Sequence, residues 1–264
     1  MKEIKSGDIT VFDYEGSGSP LLFVHAFPMN NKMWNEQVNE FKSKYRVITY
    51  DIRGFGKSKD SFENIYTMET FANDVLELIV KLELKNVNIC GLSMGGYIVQ
   101  RAVLKAPEKF SSMILADSKA ERDDDKGMIS RSRFIDRLMK EGIGNFPDEF
   151  MKRLLYEKNY QNPGLYKFIK DVINEQTAKS LAGASIAMAT RTSTTEQLKG
   201  LELPVLLMVG EQDTFSPIPN TERMHKLIKN SVMKIVPESG HLTPIENPKI
   251  FNKYLSEFLS QNSI

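Results

Sequence analysis

Short apolar runs separated by turn residues recur along the chain. Ile9, Val11 and Phe12 mark an early strand that closes at Gly16-Ser17-Gly18. Further runs follow at Leu21–Val24, Val47–Tyr50, Val87–Cys90, Met113–Ala116, Val205–Val209 and Val232–Val236. Runs this short and mostly apolar suit parallel strands covered on both faces. Between most of them lie helical patterns. From Thr67 to Leu84, the residues Phe71, Val75, Leu78, Ile79 and Leu82 share one stripe. Thr67 stands as the N-cap, with Thr70 where a full capping box has Glu. Gly95 to Ala106 reads as a second helix, stopped by Pro107. Pro248 to Leu259 reads as a third, amphipathic through Ile250, Phe251, Tyr254 and Phe258. This alternation predicts an α/β fold, a mostly parallel central sheet of about eight strands flanked by helices.

One stretch breaks the rhythm. Residues 118–199 carry helical patterns and polar segments but no convincing strand. We therefore expect an inserted helical cap over 118–199 and a core made from 1–117 and 200–264. The dense run of both charge signs from Lys119 to Glu141 reads as a solvated helix face without a catalytic role. No internal repeat or low-complexity linker is visible.

Composition narrows the function classes. The chain has 264 residues, 41% apolar and 26% charged, enough for a sizeable core. Its 35 Lys+Arg nearly balance 34 Asp+Glu, which argues against a nucleic-acid partner. The single cysteine, Cys90, excludes an internal disulfide and a cysteine-based metal cluster. His25, His225 and His241 lie far apart, without metal-ligand spacing, so neither metal nor cofactor is expected. No apolar run approaches the roughly 20 residues of a membrane span. The N-terminus is polar and alternating, without an apolar targeting core, and the expected location is the cytoplasm.

The strongest local signal is Gly91-Leu92-Ser93-Met94-Gly95-Gly96, placed between an apolar strand and a helical pattern. This is GxSxG in its strand–turn–helix setting. The tight turn lifts the Ser93 hydroxyl clear of the sheet, and small neighbours let strand and helix backbones approach. A serine hydroxyl needs a base. His241, in the loop Pro237–Pro244 after the last apolar run, is the best candidate, with Gly240 allowing the chain to turn. His225 falls in a solvated helix pattern, and His25 reads as a brace for the loop it begins. The base needs an orienting carboxylate. Asp213 stands just after Val205–Val209 at the carboxyl edge of the sheet, with Glu211 and Asp117 as alternatives. Developing oxyanion charge calls for preorganised N–H donors, each worth about 2.7–4 kcal/mol of barrier. The amides of Met94 and Phe27 are the candidates, Phe27 lying in His25-Ala26-Phe27-Pro28.

Together these residues resemble the α/β-hydrolase fold superfamily, in which nucleophile, acid and histidine follow the order Ser93, Asp213, His241. His25-Ala26-Phe27-Pro28 is similar to its HGFP oxyanion segment, with Ala26 in place of the usual glycine. Asp51-Ile52-Arg53-Gly54-Phe55-Gly56-Lys57-Ser58 resembles its D-x-R-G-x-G-x-S turn, with Arg53 as a structural brace. The Ser-Met-Gly-Gly elbow looks most like small carboxylesterases, 3-oxoadipate enol-lactonases and cofactor-free haloperoxidases. Serine rather than aspartate at position 93 argues against haloalkane dehalogenase and epoxide hydrolase chemistry. The resemblance implies a metal-independent serine hydrolase of small carboxylic esters, working through an acyl-enzyme. A lactonase or C–C bond hydrolase with the same three residues, or a low-turnover ligand receptor, are the rival readings. Phe27, Met29, Met94, Met128 and Met139 are candidates for an apolar acyl pocket, with core packing the alternative for the methionines.

Overall fold

The computed structural model describes residues 1–59 and 66–262. Eight strands form one sheet: β1 (Lys2–Ser6), β2 (Ile9–Asp13), β3 (Pro20–Val24), β4 (Arg46–Asp51), β5 (Val87–Leu92), β6 (Phe110–Ala116), β7 (Val205–Gly210) and β8 (Ser231–Val236). Their spatial order is β1-β2-β4-β3-β5-β6-β7-β8. β2 runs antiparallel to β1 and β4, and every other pairing is parallel. The expected α/β architecture is therefore present. β5 and β7 are buried at every position, as strands covered on both faces require. The registers bring Val24 beside Gly91 and Leu92 beside Ala116, so the ends of β3, β5 and β6 lie together.

The two edges differ from the sequence expectation. β1 was not anticipated, because Lys2, Glu3 and Lys5 give it little apolar pattern. A charged edge strand of this kind discourages edge-to-edge pairing. At the other edge, Val232 and Ile235 are each 43% exposed, so β8 is not covered on both faces. Helix boundaries also move. The helix capped by Thr67, whose Oγ1 accepts the Thr70 N–H at 3.0 Å, spans Met68–Lys81. The next begins at Met94 rather than Gly95 and ends at Lys105, and the last spans Pro248–Gln261.

Between β6 and β7 the chain forms the helices Asp125–Glu141, Phe146–Leu154, Glu157–Tyr160, Pro163–Asn174, Ala178–Ala189 and Thr195–Leu198. Among the described residues, no strand lies between β6 and β7.

The turn after β4 acts as a brace. Asp51 accepts from the Asn31 N–H (2.8 Å), the Asn31 side chain (2.7 Å) and the Lys57 N–H (2.8 Å). A side chain at Gly56, where φ is +49°, would place its Cβ 2.4 Å from the Asp51 carboxylate. Arg53 grips Asp74 through two bonds of 2.8 and 2.6 Å and reaches Asp8 at 2.9 Å. Burial raises the Asp74 carboxyl above its usual range, and Arg53 opposes that shift. Arg53→Met is therefore expected to cost about 3 kcal/mol in urea unfolding, because it strands a buried carboxylate. Its folded-state pKa then rises further above the unfolded value, so the loss is small below about pH 4 and grows as pH rises.

Candidate active site

Ser93 alone joins β5 to the helix Met94–Lys105, with φ 53° and ψ −111°. A non-glycine residue in such a conformation is strained by about 1–3 kcal/mol. The neighbouring glycines explain how the turn closes. A Cβ on Gly91 would lie 2.4 Å from the Gly95 carbonyl oxygen, one on Gly95 2.2 Å from the Val24 carbonyl oxygen, and one on Gly96 2.4 Å from Ser118 Oγ. The Ser93 N–H donates to the Ala116 carbonyl (2.9 Å), and the Ser93 carbonyl accepts from Ser118 Oγ (3.0 Å). The elbow is thus tied to the end of β6. Gly95→Ala, forced against backbone that cannot retreat, should lower stability by about 3 kcal/mol or more in denaturant titration.

Three side chains from distant segments meet at this turn. The loop after β8 brings His241 Nε2 to 2.7 Å from Ser93 Oγ. The loop after β7 brings Asp213 Oδ2 to 2.8 Å from His241 Nδ1. The other Asp213 oxygen accepts the Phe215 and Ser216 N–H groups at 2.7 and 3.0 Å. A carboxylate can only accept, so Nδ1 carries the proton and Nε2 is free to accept from the serine hydroxyl. Burial alone would lower the His241 pKa, but Asp213, by charge and hydrogen bond, raises it with help from Asp117 and Glu246. In an NMR titration the ring should protonate above the roughly 6.5 of a free histidine. In Asp213→Asn the midpoint should fall, since burial then acts with less opposition.

The alternatives take other places. Glu211 is exposed and accepts the Glu238 N–H at 3.2 Å. Asp117 is fully buried behind the site, where it accepts the Gly210 N–H (2.8 Å) and the Thr243 hydroxyl (2.5 Å). Burial and the nearby Asp213 carboxylate push its pKa well up. His225 is exposed and bonds Ser231 Oγ at 2.8 Å. His25 braces its loop: Nδ1 donates to the Ala26 carbonyl (3.0 Å) and Nε2 accepts the Ile52 N–H (2.9 Å). Burial lowers its pKa, which keeps the ring neutral and suits those two roles. Among the described residues, the Phe27 and Met94 N–H groups have no protein acceptor. Met94 opens its helix, where N–H groups lack intrahelical partners.

Glu246 is a contact the sequence did not reveal. One oxygen accepts the Gly240 and Leu242 N–H groups (2.9 and 3.0 Å), on either side of His241. The other accepts the Tyr156 N–H (2.7 Å) and the Asn159 side chain (3.0 Å). The His241 N–H itself donates to the Leu154 carbonyl at 2.8 Å. The histidine loop is therefore stitched to the segment following the helix Phe146–Leu154.

A cavity of about 390 Å³ opens on Ser93 and His241. Phe27, Phe134, Phe146, Phe150 and Phe215 form its aromatic wall. The Phe215 ring lies 5.1 Å from the His241 ring. Of the expected pocket residues only Phe27 lines this cavity. Met29 and Met94 are core, and Met139 is 67% exposed. The charged run at 119–141 also needs correcting. Its helix, Asp125–Glu141, turns Gly127, Arg131, Phe134 and Arg137 toward the cavity, so that face is not simply solvated. The 3.6-residue repeat groups these positions, a signal hidden by the charges between them.

Residues 19–248 match the family model for the alpha/beta hydrolase fold, and the chain belongs to that family. It is similar to 3-oxoadipate enol-lactonase 1 of Acinetobacter baylyi, 28% identical over 90% of this chain and 88% of that protein. It is also similar to a non-heme chloroperoxidase of Kitasatospora aureofaciens, 27% identical over 93% of this chain and 94% of that one. Among solved structures it resembles a malate-bound thermophilic esterase from Thermogutta terrifontis, with a TM-score of 0.94, 31% identity and 100% of both chains covered. These likenesses support a hydrolase. No helix among the described residues is long and apolar enough to cross a membrane.

Proposed function

We propose that this protein is a serine hydrolase of small carboxylic esters that works through an acyl-enzyme. The 2.7 Å approach of His241 Nε2 to Ser93 Oγ carries this reading. Ser93 Oγ attacks the acyl carbon as its proton passes to His241 Nε2. Asp213 holds the ring in the required tautomer and stabilises the imidazolium. The unengaged Phe27 and Met94 amides bind the oxyanion. His241 then gives its proton to the departing alcohol oxygen as the C–O bond breaks. Water, deprotonated by His241, attacks the acyl-enzyme and releases the acid and Ser93.

In this reading 118–199 acts as a cap that shapes the acyl pocket with its phenylalanines. The cytoplasm is the proposed location, and the lone Cys90 is what supports it. Lactone hydrolysis is a second reading, favoured by the similarity to an enol-lactonase. It runs on the same atoms, with the leaving oxygen tethered to the acyl group.

Ser93→Ala should fold normally and lower turnover of short-chain p-nitrophenyl esters by about 10⁴-fold or more. Unchanged turnover in that variant would overturn the mechanism. A panel pairing each ester with its lactone separates the two substrate readings by relative kcat/KM.

A further inference from the structure

The cavity above Ser93 is not uniformly apolar. Along the helix Asp125–Glu141, Gly127, Arg131 and Phe134 are neighbours on one face. Around Phe134 the wall is aromatic; toward the end of the helix it carries Arg137, paired with Glu149 at 2.6 Å, and Arg153, stacked over the Phe215 ring, and toward its start Lys119, Arg131 and Asp123. There one carboxylate, Asp123, is shared by three cations: Arg131 Nε at 2.5 Å, Arg191 Nη2 at 2.9 Å and Lys119 Nζ at 3.3 Å. Arg191 is 1% exposed, donates to the Met188 and Glu121 carbonyls, and lies 4.2 Å from the Tyr97 ring centroid. Tyr97 and Ser93 line the cavity that Lys119, Asp123 and Arg131 also line, so cluster and serine face one space. One oxygen of the nearby Glu121 carboxylate is engaged by Arg223 at 2.8 Å, and the other is buried without a hydrogen-bond partner.

Three cations about one carboxylate leave an excess of positive charge beside the cavity. Lys119 and Arg131, which line it, are only 21% and 24% exposed, so water screens them incompletely. Burial would raise the Asp123 carboxyl, but Arg191 and Arg131 hold it well below its usual range, so it is fully ionised. A second, independent observation comes from the helix Ala178–Ala189, which packs against Asp125–Glu141. Its Ser185 lines the same cavity, is fully buried, and has a hydroxyl with no hydrogen-bond partner. A buried hydroxyl without a partner is destabilising and is satisfied when a ligand supplies an acceptor.

From this juxtaposition we infer that Lys119, Arg131 and Ser185 form an anion subsite, and that the substrate is an ester or lactone carrying a carboxylate away from its scissile carbonyl. Lys119 and Arg131 donate to that carboxylate as charged groups, and Ser185 donates its hydroxyl. Asp123 and Arg191 are positioning residues that hold the two cations at the cavity wall. As a specificity device the subsite rests on the reading of Ser93 as nucleophile.

The test compares mono-p-nitrophenyl glutarate with p-nitrophenyl pentanoate, which have the same leaving group and similar acyl length. The wild type should favour the charged ester in kcat/KM by about tenfold or more. Arg131→Gln and Ser185→Ala should each reduce that ratio, Arg131→Gln by about tenfold, with the change in KM. Added salt should raise KM for the charged ester only. Calorimetry with monomethyl glutarate on Ser93→Ala and on Ser93→Ala/Arg131→Gln, neither of which turns the ester over, gives a readout independent of turnover. Binding weakened by Arg131→Gln supports the subsite even if no ester turns over, in which case the hydrolase reading alone fails. Turnover of the neutral ester without preference for the charged one overturns the subsite and leaves the hydrolase reading standing. Neither binding nor turnover overturns both.

Discussion

The backbone at Ser93 is the constraint on which the site depends. A single residue with positive φ reverses the chain between a buried central strand and a helix. Its strain persists because the surroundings leave no other path. β5 is enclosed by β3 and β6, and the helix backbone presses onto Val24 through Gly95. The hydroxyl is consequently placed by the main chain rather than by a rotamer held on a mobile loop. Everything else comes to it: the Phe27 loop from β3, Ser118 from β6, and the Asp213 and His241 loops from the last two strands. All lie at the carboxyl edge of one sheet, where parallel topology gathers loop ends from distant sequence.

Buried electrostatics set the state of the imidazole. Burial favours the neutral ring, while Asp213, Asp117 and Glu246 favour the charged one, and the carboxylates prevail. Of these three carboxylates, Asp213 is the one hydrogen-bonded to the ring. Asp117 acts by spanning the Gly210 N–H at the end of β7 and the Thr243 hydroxyl in the loop after β8. That bridge fixes the spacing between the two loops that carry Asp213 and His241. A fully buried carboxylate is costly, and its two hydrogen bonds offset part of that cost.

Much of this was legible in the sequence, for physical reasons that differ by region. The inner strands stood out because two-sided burial demands continuous apolar residues, as in Val205–Val209. β1 did not, because an exposed edge needs charge more than apolar pattern. The elbow was readable because close backbone approach at positions 91 and 95, and the Ser118 side chain against position 96, leave room only for glycine. Ser93 was marked by the GxSxG motif and His241 and Asp213 by their loops at the carboxyl edge, with Glu211 and Asp117 as alternatives to Asp213. The cavity wall was not readable in the same way. Phe134, Phe146 and Phe150 are scattered among charges, and their meeting depends on how several short helices pack. The methionines singled out instead are mostly core or exposed, since a flexible apolar side chain serves either place. Glu246 escaped notice because its partners, Tyr156 and Asn159, are about ninety positions away.

The stitching of the histidine loop to Leu154, Tyr156 and Asn159 bears on how such a protein can diversify. Helices lining the cavity are free to acquire new side chains without disturbing the hydrogen bonds that join Ser93, His241 and Asp213. The stretch that the imidazole loop leans on has no such freedom, because a change there displaces His241. Grafting foreign helices between β6 and β7 would therefore have to carry over a matching partner for Glu246, and innovation should concentrate on the helices away from Leu154, Tyr156 and Asn159.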